Sequence, residues 1–180
     1  MSSQDVQRPV CIIGLGLIGG SLLRDLVASK HAVYGYNHST SGARSAIKAG
    51  YDVTDDMPAI LARAEADDAL IVIATPMNAV DSVLDQIEEH APSCGITDVV
   101  SVKTEVRELF LKRGMESRYV GGHPMAGTQN SGWDHSQIGL FKRSAWAITY
   151  DYAAECEARG ERIPKKWICL LYTSLMARGR

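Results

Sequence analysis

Residues 9–21 read PVCIIGLGLIGGS. The apolar run 10–13 ends in Gly14-Leu15-Gly16-Leu17-Ile18-Gly19, and apolar residues with helical character follow from 22 to 27. Strand, glycine turn and helix in that order make the first βα unit of a dinucleotide-binding domain. Gly14 permits the tight turn out of the strand. Gly16 lets the backbone approach a pyrophosphate, because no Cβ intervenes. Gly19 lets the helix pack closely on the strand. The helix N-terminus at Leu17, Ile18 and Gly19 offers unpaired N–H groups and a partial positive charge to phosphates. The bland alternative is a tight βα turn that holds no ligand.

Working outward, residues 32–36 are the expected second strand, parallel to the first. Domains of this kind usually carry an acidic residue at the end of that strand, where it binds a ribose 2′-hydroxyl and repels a 2′-phosphate. Here the residue is Asn37, followed by His38, Ser39 and Thr40. Asn37, Ser39 and Thr40 offer hydrogen bonds to a 2′-phosphate, and His38 or Arg44 adds charge. The same residues also suit a polar turn in which Ser39 or Ser41 caps the next helix. Both readings stand together, and NADP is favoured slightly over NAD.

Further along, residues 41–49 read as a helix ended by Gly50, and 51–53 as a short strand. Met57-Pro58 starts a helix with proline in its first turn. Residues 69–74, ALIVIA, are almost wholly apolar, as expected of a central parallel strand covered on both faces. Thr75 and Pro76 end that strand. They either line the nicotinamide-ribose side of a ligand crevice or simply break the strand. Residues 78–90 carry an apolar stripe at Val80, Val83, Leu84 and Ile87. Asp81, Asp85, Glu88 and Glu89 lie off that stripe and read as a solvated face. Residues 96–100 are the next strand, 105–113 a helix, 119–120 a short strand and 145–149 a final strand. The stretch 129–142 has little regular pattern but holds Trp133, His135 and Phe141, and a loop so long in a compact domain is more often functional than idle.

Composition sets the limits. The chain has 180 residues, 46% hydrophobic and 22% charged, with a formal net charge of -2. That suffices for one domain with a substantial core. No basic block suggests a nucleic-acid partner, and no apolar run reaches the length of a membrane span. Residues 1–8 form a polar arm without the apolar centre of a signal peptide. Cys11, Cys94, Cys156 and Cys169 form no CxxC pair, so neither a disulfide framework nor a zinc site is expected, and a reducing cytoplasm is the simplest compartment. The expected fold is α/β, a Rossmann-type doubly wound and mostly parallel sheet over residues 9–150. Residues 151–180 are a tail without a clear pattern beyond a polar helical stretch, and nothing in them builds a second domain.

Two loops should end neighbouring strands on one sheet edge: Ser101-Val102-Lys103-Thr104 and Gly122-His123-Pro124-Met125. The cofactor crevice opens on that edge. Glycines and proline around His123 fix its ring direction, and a hydroxyl on the adjacent loop, Ser101, is placed to orient one ring nitrogen. The other nitrogen is then free to act as a base. Lys103 either starts the helix or reaches a carboxylate. The histidines have no metal-ligand spacing, and no GxSxG elbow surrounds Ser101.

GLGLIGGSLLRDL, TDVVSVKT and GGHPMAGTQNSGW together resemble the prephenate and arogenate dehydrogenases of tyrosine biosynthesis. The resemblance covers residues 9–150 in order. It implies oxidative decarboxylation of prephenate or arogenate, with hydride transfer to a nicotinamide. It implies that His123 polarises the ring hydroxyl and accepts its proton, that Ser101 holds His123 and that hydroxyl, and that Thr128 and Gln129 approach the substrate side chain. The family also places a helical domain after the nucleotide-binding one, which makes its dimer and completes its substrate pocket. This sequence lacks a stretch resembling that domain, so a cofactor-binding half or shortened version is expected. A stand-alone dinucleotide-binding module without catalysis is the competing expectation. A hydroxyacid-type dehydrogenase would need a catalytic lysine on a later helix and leaves GGHPMAGT unexplained.

Overall fold

The computed structural model of the chain describes residues 8–163. The expected arm up to residue 7, the tail from 164 and Cys169 lie outside the described residues. Six parallel strands form one sheet: β1 (Val10–Ile13), β2 (Val33–Tyr36), β3 (Val53–Thr54), β4 (Leu70–Ile73), β5 (Gly95–Asp98) and β6 (Tyr119–Val120). Their order is β3-β2-β1-β4-β5-β6. The chain therefore reverses its winding direction between β1 and β4, the place where a doubly wound sheet opens its ligand crevice. In the register of this sheet Val10 pairs with Val33 on one side and Leu70 on the other.

The helices α1 (Leu17–Ala28), α2 (Thr40–Lys48), α3 (Met57–Ala66), α4 (Met77–His90) and α5 (Lys103–Lys112) connect these strands. Because strand side chains alternate, β1 feeds two cores. Val10 and Ile12 pack with Leu22, Leu23 and Leu26 of α1 and Ala43 and Ala46 of α2. Cys11 and Ile13 pack with Leu61 of α3, Leu84 of α4 and Phe110 of α5. All four residues of β1 and of β4 are buried, which explains why both read as unbroken apolar runs. The caps match the sequence: Ser39 Oγ accepts from Gly42 N at 3.2 Å, and Asp56 Oδ1 accepts from Ala59 N at 3.0 Å.

Three features differ from the sequence reading. Residues 121–128 do not form a simple loop. β7 (Gly122–Pro124) pairs antiparallel with β8 (Trp146–Ile148) in a separate ribbon, so the final strand leaves the main sheet. The acids off the stripe of α4 are not merely solvated, since Asp81, Asp85 and Glu88 converge on Arg113 at 2.6, 2.8 and 2.5 Å. They tie α4 to the end of α5. The polar helical stretch expected at 153–162 forms as α6 (Asp151–Ala158), but it packs against the domain instead of trailing as a tail. Cys156 of α6 is buried and Arg107 of α5 pairs with Asp151 and Glu155.

Cys11 and Cys94 are fully buried free thiols. Burial above all pushes the Cys94 thiol up from 9.0 to about 12, with the Glu65 carboxylate adding to it, and burial raises Cys11 still further. A folded-state value above the unfolded one means that the unfolded chain releases these protons first. Stability is thus fully present below pH 9 and is lost as pH rises from about 9 towards 12, at about 1.4 kcal/mol per pH unit for each thiol. Urea unfolding should therefore give a lower stability at pH 10 than at pH 7.5, by roughly 1–3 kcal/mol. The Cys11→Val/Cys94→Ala variant should lose most of that difference; an unchanged difference would rule the thiols out as its source.

Candidate functional site

The strands are parallel, so the residues after β1, β2, β4, β5 and β6 all emerge at one edge. After β1, Gly14 takes φ +101°, and a Cβ there would stand 2.8 Å from Ala74 O. A Cβ on Gly19 would overlap Gly14 O. Gly16 differs: nothing lies within 4 Å of its would-be Cβ, so the space above the turn is open. The first intrahelical bond of α1 runs from Gly20 N to Gly16 O at 2.9 Å. The N–H groups of Leu17, Ile18 and Gly19 precede it, and neither a capping side chain nor an acid occupies that turn. An anion is favoured at such a helix end.

After β4, Thr75 Oγ1 is buried and has no hydrogen-bond partner among the described residues. Pro76 is exposed and caps α4. After β2, Asn37 Oδ1 accepts from Ser39 N at 3.2 Å, and Ser39 Oγ lies 2.9 Å from Ser41 Oγ. Asn37 and Ser39 thus shape the turn into α2, as the structural reading of this stretch requires. His38 and Arg44 are exposed beside them, and no carboxylate stands at position 37. An open turn, bare helix N–H groups and an orphaned hydroxyl suit a dinucleotide, so the residues present fit that group.

The β5 and β6 loops meet through an acid that the sequence signals only weakly. Asp98, the last residue of β5, is completely buried. Its Oδ1 accepts from Tyr119 Oη at 2.9 Å and Gly122 N at 3.1 Å, and its Oδ2 accepts from Val100 N at 3.0 Å and from Lys103 Nζ. Lys103 both opens α5 and reaches this carboxylate, so both of its sequence readings hold. Burial pulls the Lys103 ammonium down from its ordinary range while Asp98 opposes that pull. Burial, reinforced by Asp98, pushes the Tyr119 phenol up. The only sequence signal for Asp98 was one acid inside the apolar strand ITDVV.

His123 sits on β7, partly buried, with Nδ1 enclosed and unpartnered among the described residues. The expected bond from Ser101 to this ring is not formed. The bond from Val100 N to Asp98 Oδ2 tightens the exit of β5, and α5 starts at Lys103, which leaves Ser101 exposed between them. His123, Pro124, Met125, Ala126 and Gly127, with Leu140 and Ser144, line an open cleft of about 730 Å³. Thr128 and Gln129 are exposed just beyond it, and Thr128 Oγ1 accepts from Asn130 N at 3.2 Å.

The long segment 129–144 is fastened to the back of α1. Arg24 stacks 4.2 Å over the Trp133 ring and donates to Ser136 Oγ at 2.8 Å. Gln137 N donates to Ser21 Oγ at 3.0 Å and Gly139 N to Asp25 Oδ1 at 2.6 Å. Its middle is thus anchored, while Leu140 and Ser144 towards its end line the cleft.

The sequence model of the family "Prephenate dehydrogenase, nucleotide-binding domain" matches residues 21–158. The chain belongs to the prephenate dehydrogenase family. Prephenate dehydrogenase of Bacillus subtilis is 34% identical over 149 residues, which cover 78% of this chain and 38% of that protein. A candidate prephenate dehydrogenase structure from Corynebacterium glutamicum superposes with a TM-score of 0.90 at 55% identity, over 97% of this chain and 53% of that one. The Aquifex aeolicus prephenate dehydrogenase in complex with hydroxyphenyl propionate and NAD+ gives a TM-score of 0.74 at 25% identity, over 99% of this chain and 59% of that one. The chain thus spans 38–59% of the length of these family members. The family match includes the segments around Asp98, Lys103 and His123 but starts after the glycine turn. The turn therefore stands on its own geometry.

Among the described residues no helix is long and apolar enough to cross a membrane, and no cluster of histidine, cysteine and acidic side chains is built to hold a metal ion.

The two glycines separate binding from folding. Gly16→Ala should change stability by less than about 0.5 kcal/mol, since the Cβ enters open space, yet weaken NAD(P) binding by about tenfold or more because that Cβ would fill the space over the bare N–H groups of the helix end. Gly19→Ala should cost about 2 kcal/mol or more through overpacking. Thermal melts and cofactor titration by fluorescence check both. Unchanged cofactor affinity in Gly16→Ala would place the ligand elsewhere.

Proposed function

We propose that this chain supplies the cofactor-binding half, and one catalytic side, of an enzyme that oxidatively decarboxylates prephenate or arogenate in tyrosine biosynthesis. The carrying observation is the position of His123. It is held on β7 at the same sheet edge as the glycine turn and lines the open cleft. The dinucleotide, held at the α1 N-terminus with Thr75 and Pro76 beside it, supplies the hydride acceptor when bound.

His123 faces the substrate's ring hydroxyl and takes its proton as hydride leaves the same ring carbon. Loss of the ring carboxylate as carbon dioxide leaves its bonding electron pair in the ring, which becomes aromatic. The proton returns from His123 to the phenolic oxygen. The chain's exposed Ser101 contacts the substrate hydroxyl rather than the imidazole, and Thr128 and Gln129 meet the substrate side chain. Asn37, Ser39, His38 and Arg44 accept a 2′-phosphate, so NADP is used in slight preference to NAD. The family's cytoplasmic setting and dimeric assembly through a helical domain are carried over with the same proposal.

Three measurements test this reading. NAD(P)H formation from prephenate or arogenate separates an enzyme from a binding module, for which cofactor binding without turnover is the expected result. His123→Asn should reduce turnover roughly a hundred- to ten-thousand-fold while cofactor affinity changes by less than about threefold. A variant as active as its parent would remove His123 from the chemistry. Asn37→Asp should shift the NADP-to-NAD affinity ratio about tenfold towards NAD by charge repulsion. A ratio that does not move would show that position 37 does not meet the 2′-phosphate.

A further inference from the structure

We propose that Asp98 and Lys103 are positioning residues for His123, acting as a charged clamp on Gly122, the residue that precedes it. The inference rests on the reading of His123 as the group that meets the substrate. Gly122 is held at both of its backbone polar groups by one ion pair. Its N–H donates to Asp98 Oδ1 at 3.1 Å, and its carbonyl accepts from Lys103 Nζ at 2.6 Å. Lys103 Nζ also bonds Asp98 Oδ2, which closes the ring of contacts. No side chain fits at position 122, since a Cβ there would stand 2.7 Å from Asp98 O and 2.9 Å from Trp146 Nε1.

The opposite side of the ribbon is fixed as well. Thr149 N donates to Gly121 O at 2.9 Å, and Met125 N donates to Ala145 O at 2.8 Å. His123 is therefore gripped by the ion pair just before it and by β8 across from it, although its own Nδ1 has no partner among the described residues. The ring is aimed through the backbone rather than by a bond to the imidazole.

The energetics favour a positioning role over a stabilising one. A buried ion pair gains little over apolar residues of the same volume, because desolvation offsets most of its attraction. Two apolar side chains at 98 and 103 would leave both backbone groups of Gly122 without these partners. The pair also joins the exits of β5 and β6, and so fixes the Ser101 loop relative to the His123 strand.

The test uses the isotopically labelled 180-residue chain, with hydrogen exchange and the His123 ring resonances as readouts. Lys103→Met keeps the aliphatic stem and leaves Asp98 with three donors. Asp98→Asn keeps the shape and removes the charge. In each, the Gly122 amide should exchange at least about tenfold faster while amides of β1 and β4 do not change. The His123 ring signals should also broaden or split as its single orientation is lost. Lys103→Met alone decides the matter where Asp98→Asn fails to fold. Unmoved Gly122 exchange and His123 signals would overturn the clamp, as would exchange that rises equally across the whole sheet. The result is independent of the chemical reading, because turnover of His123→Asn tests that reading by itself. A moved ring with undiminished His123→Asn turnover would sink the catalytic assignment and leave the clamp standing.

Discussion

Everything functional in this chain depends on its six strands being parallel. A parallel strand needs a crossover helix, and crossovers on both faces bury the sheet completely. No polar group can then be exposed from a sheet face, so chemistry is confined to the strand ends. The glycine turn, the Asn37 turn, Thr75, Asp98 and the His123 ribbon come from distant parts of the sequence. They share one edge because every strand ends there. Reversal of the winding between β1 and β4 leaves the middle of that edge uncovered, beside Gly14 and Thr75.

Several charged side chains join elements of this apolar frame. Arg113 gathers three acids of α4 at the end of α5. Arg24 presses its guanidinium on Trp133 and so brings the long segment onto α1. Arg107 ties α6 to α5. The first two of these cations lie against surfaces shared with water or aromatic rings, where a guanidinium loses little hydration. Asp98 is the exception, being fully buried with four donors. Its cost is bearable only because every lone-pair direction is used.

The sequence showed the fold better than the site because the two are written differently. A buried strand announces itself as VCII or LIVI, and a βα turn as glycines at fixed spacing. Both signals are local. The β7–β8 ribbon depends on residues 122 and 148 meeting across a long irregular segment, which no local pattern reports. Asp98 looked like one polar residue in a short strand, since its partners lie at 100, 103, 119 and 122. Pairing Ser101 with His123 was the natural inference from two loops on one edge. It missed because the Asp98 side chain tightens the turn and leaves the serine outside. Of the two readings of Asn37, the turn is the one seen directly, its Oδ1 accepting from Ser39 N, and no carboxylate stands at that position.

Two of the unsatisfied buried groups lie at the same edge. Among the described residues, four buried side-chain atoms lack a hydrogen-bond partner: Arg8 Nη1, Thr75 Oγ1, Glu116 Oε2 and His123 Nδ1. An orphaned buried polar atom costs about 1–3 kcal/mol, so each requires a reason. Arg8 Nη2 at least reaches Asp68 at 2.7 Å. Thr75 follows β4 beside the glycine turn, and His123 lines the open cleft. The chain therefore satisfies the deeply buried Asp98 fully, while two of the four unpaired atoms, Thr75 Oγ1 and His123 Nδ1, belong to residues of the proposed site. Satisfaction where the backbone must not move, and its absence where a ligand must enter, is the pattern expected of a preorganised site.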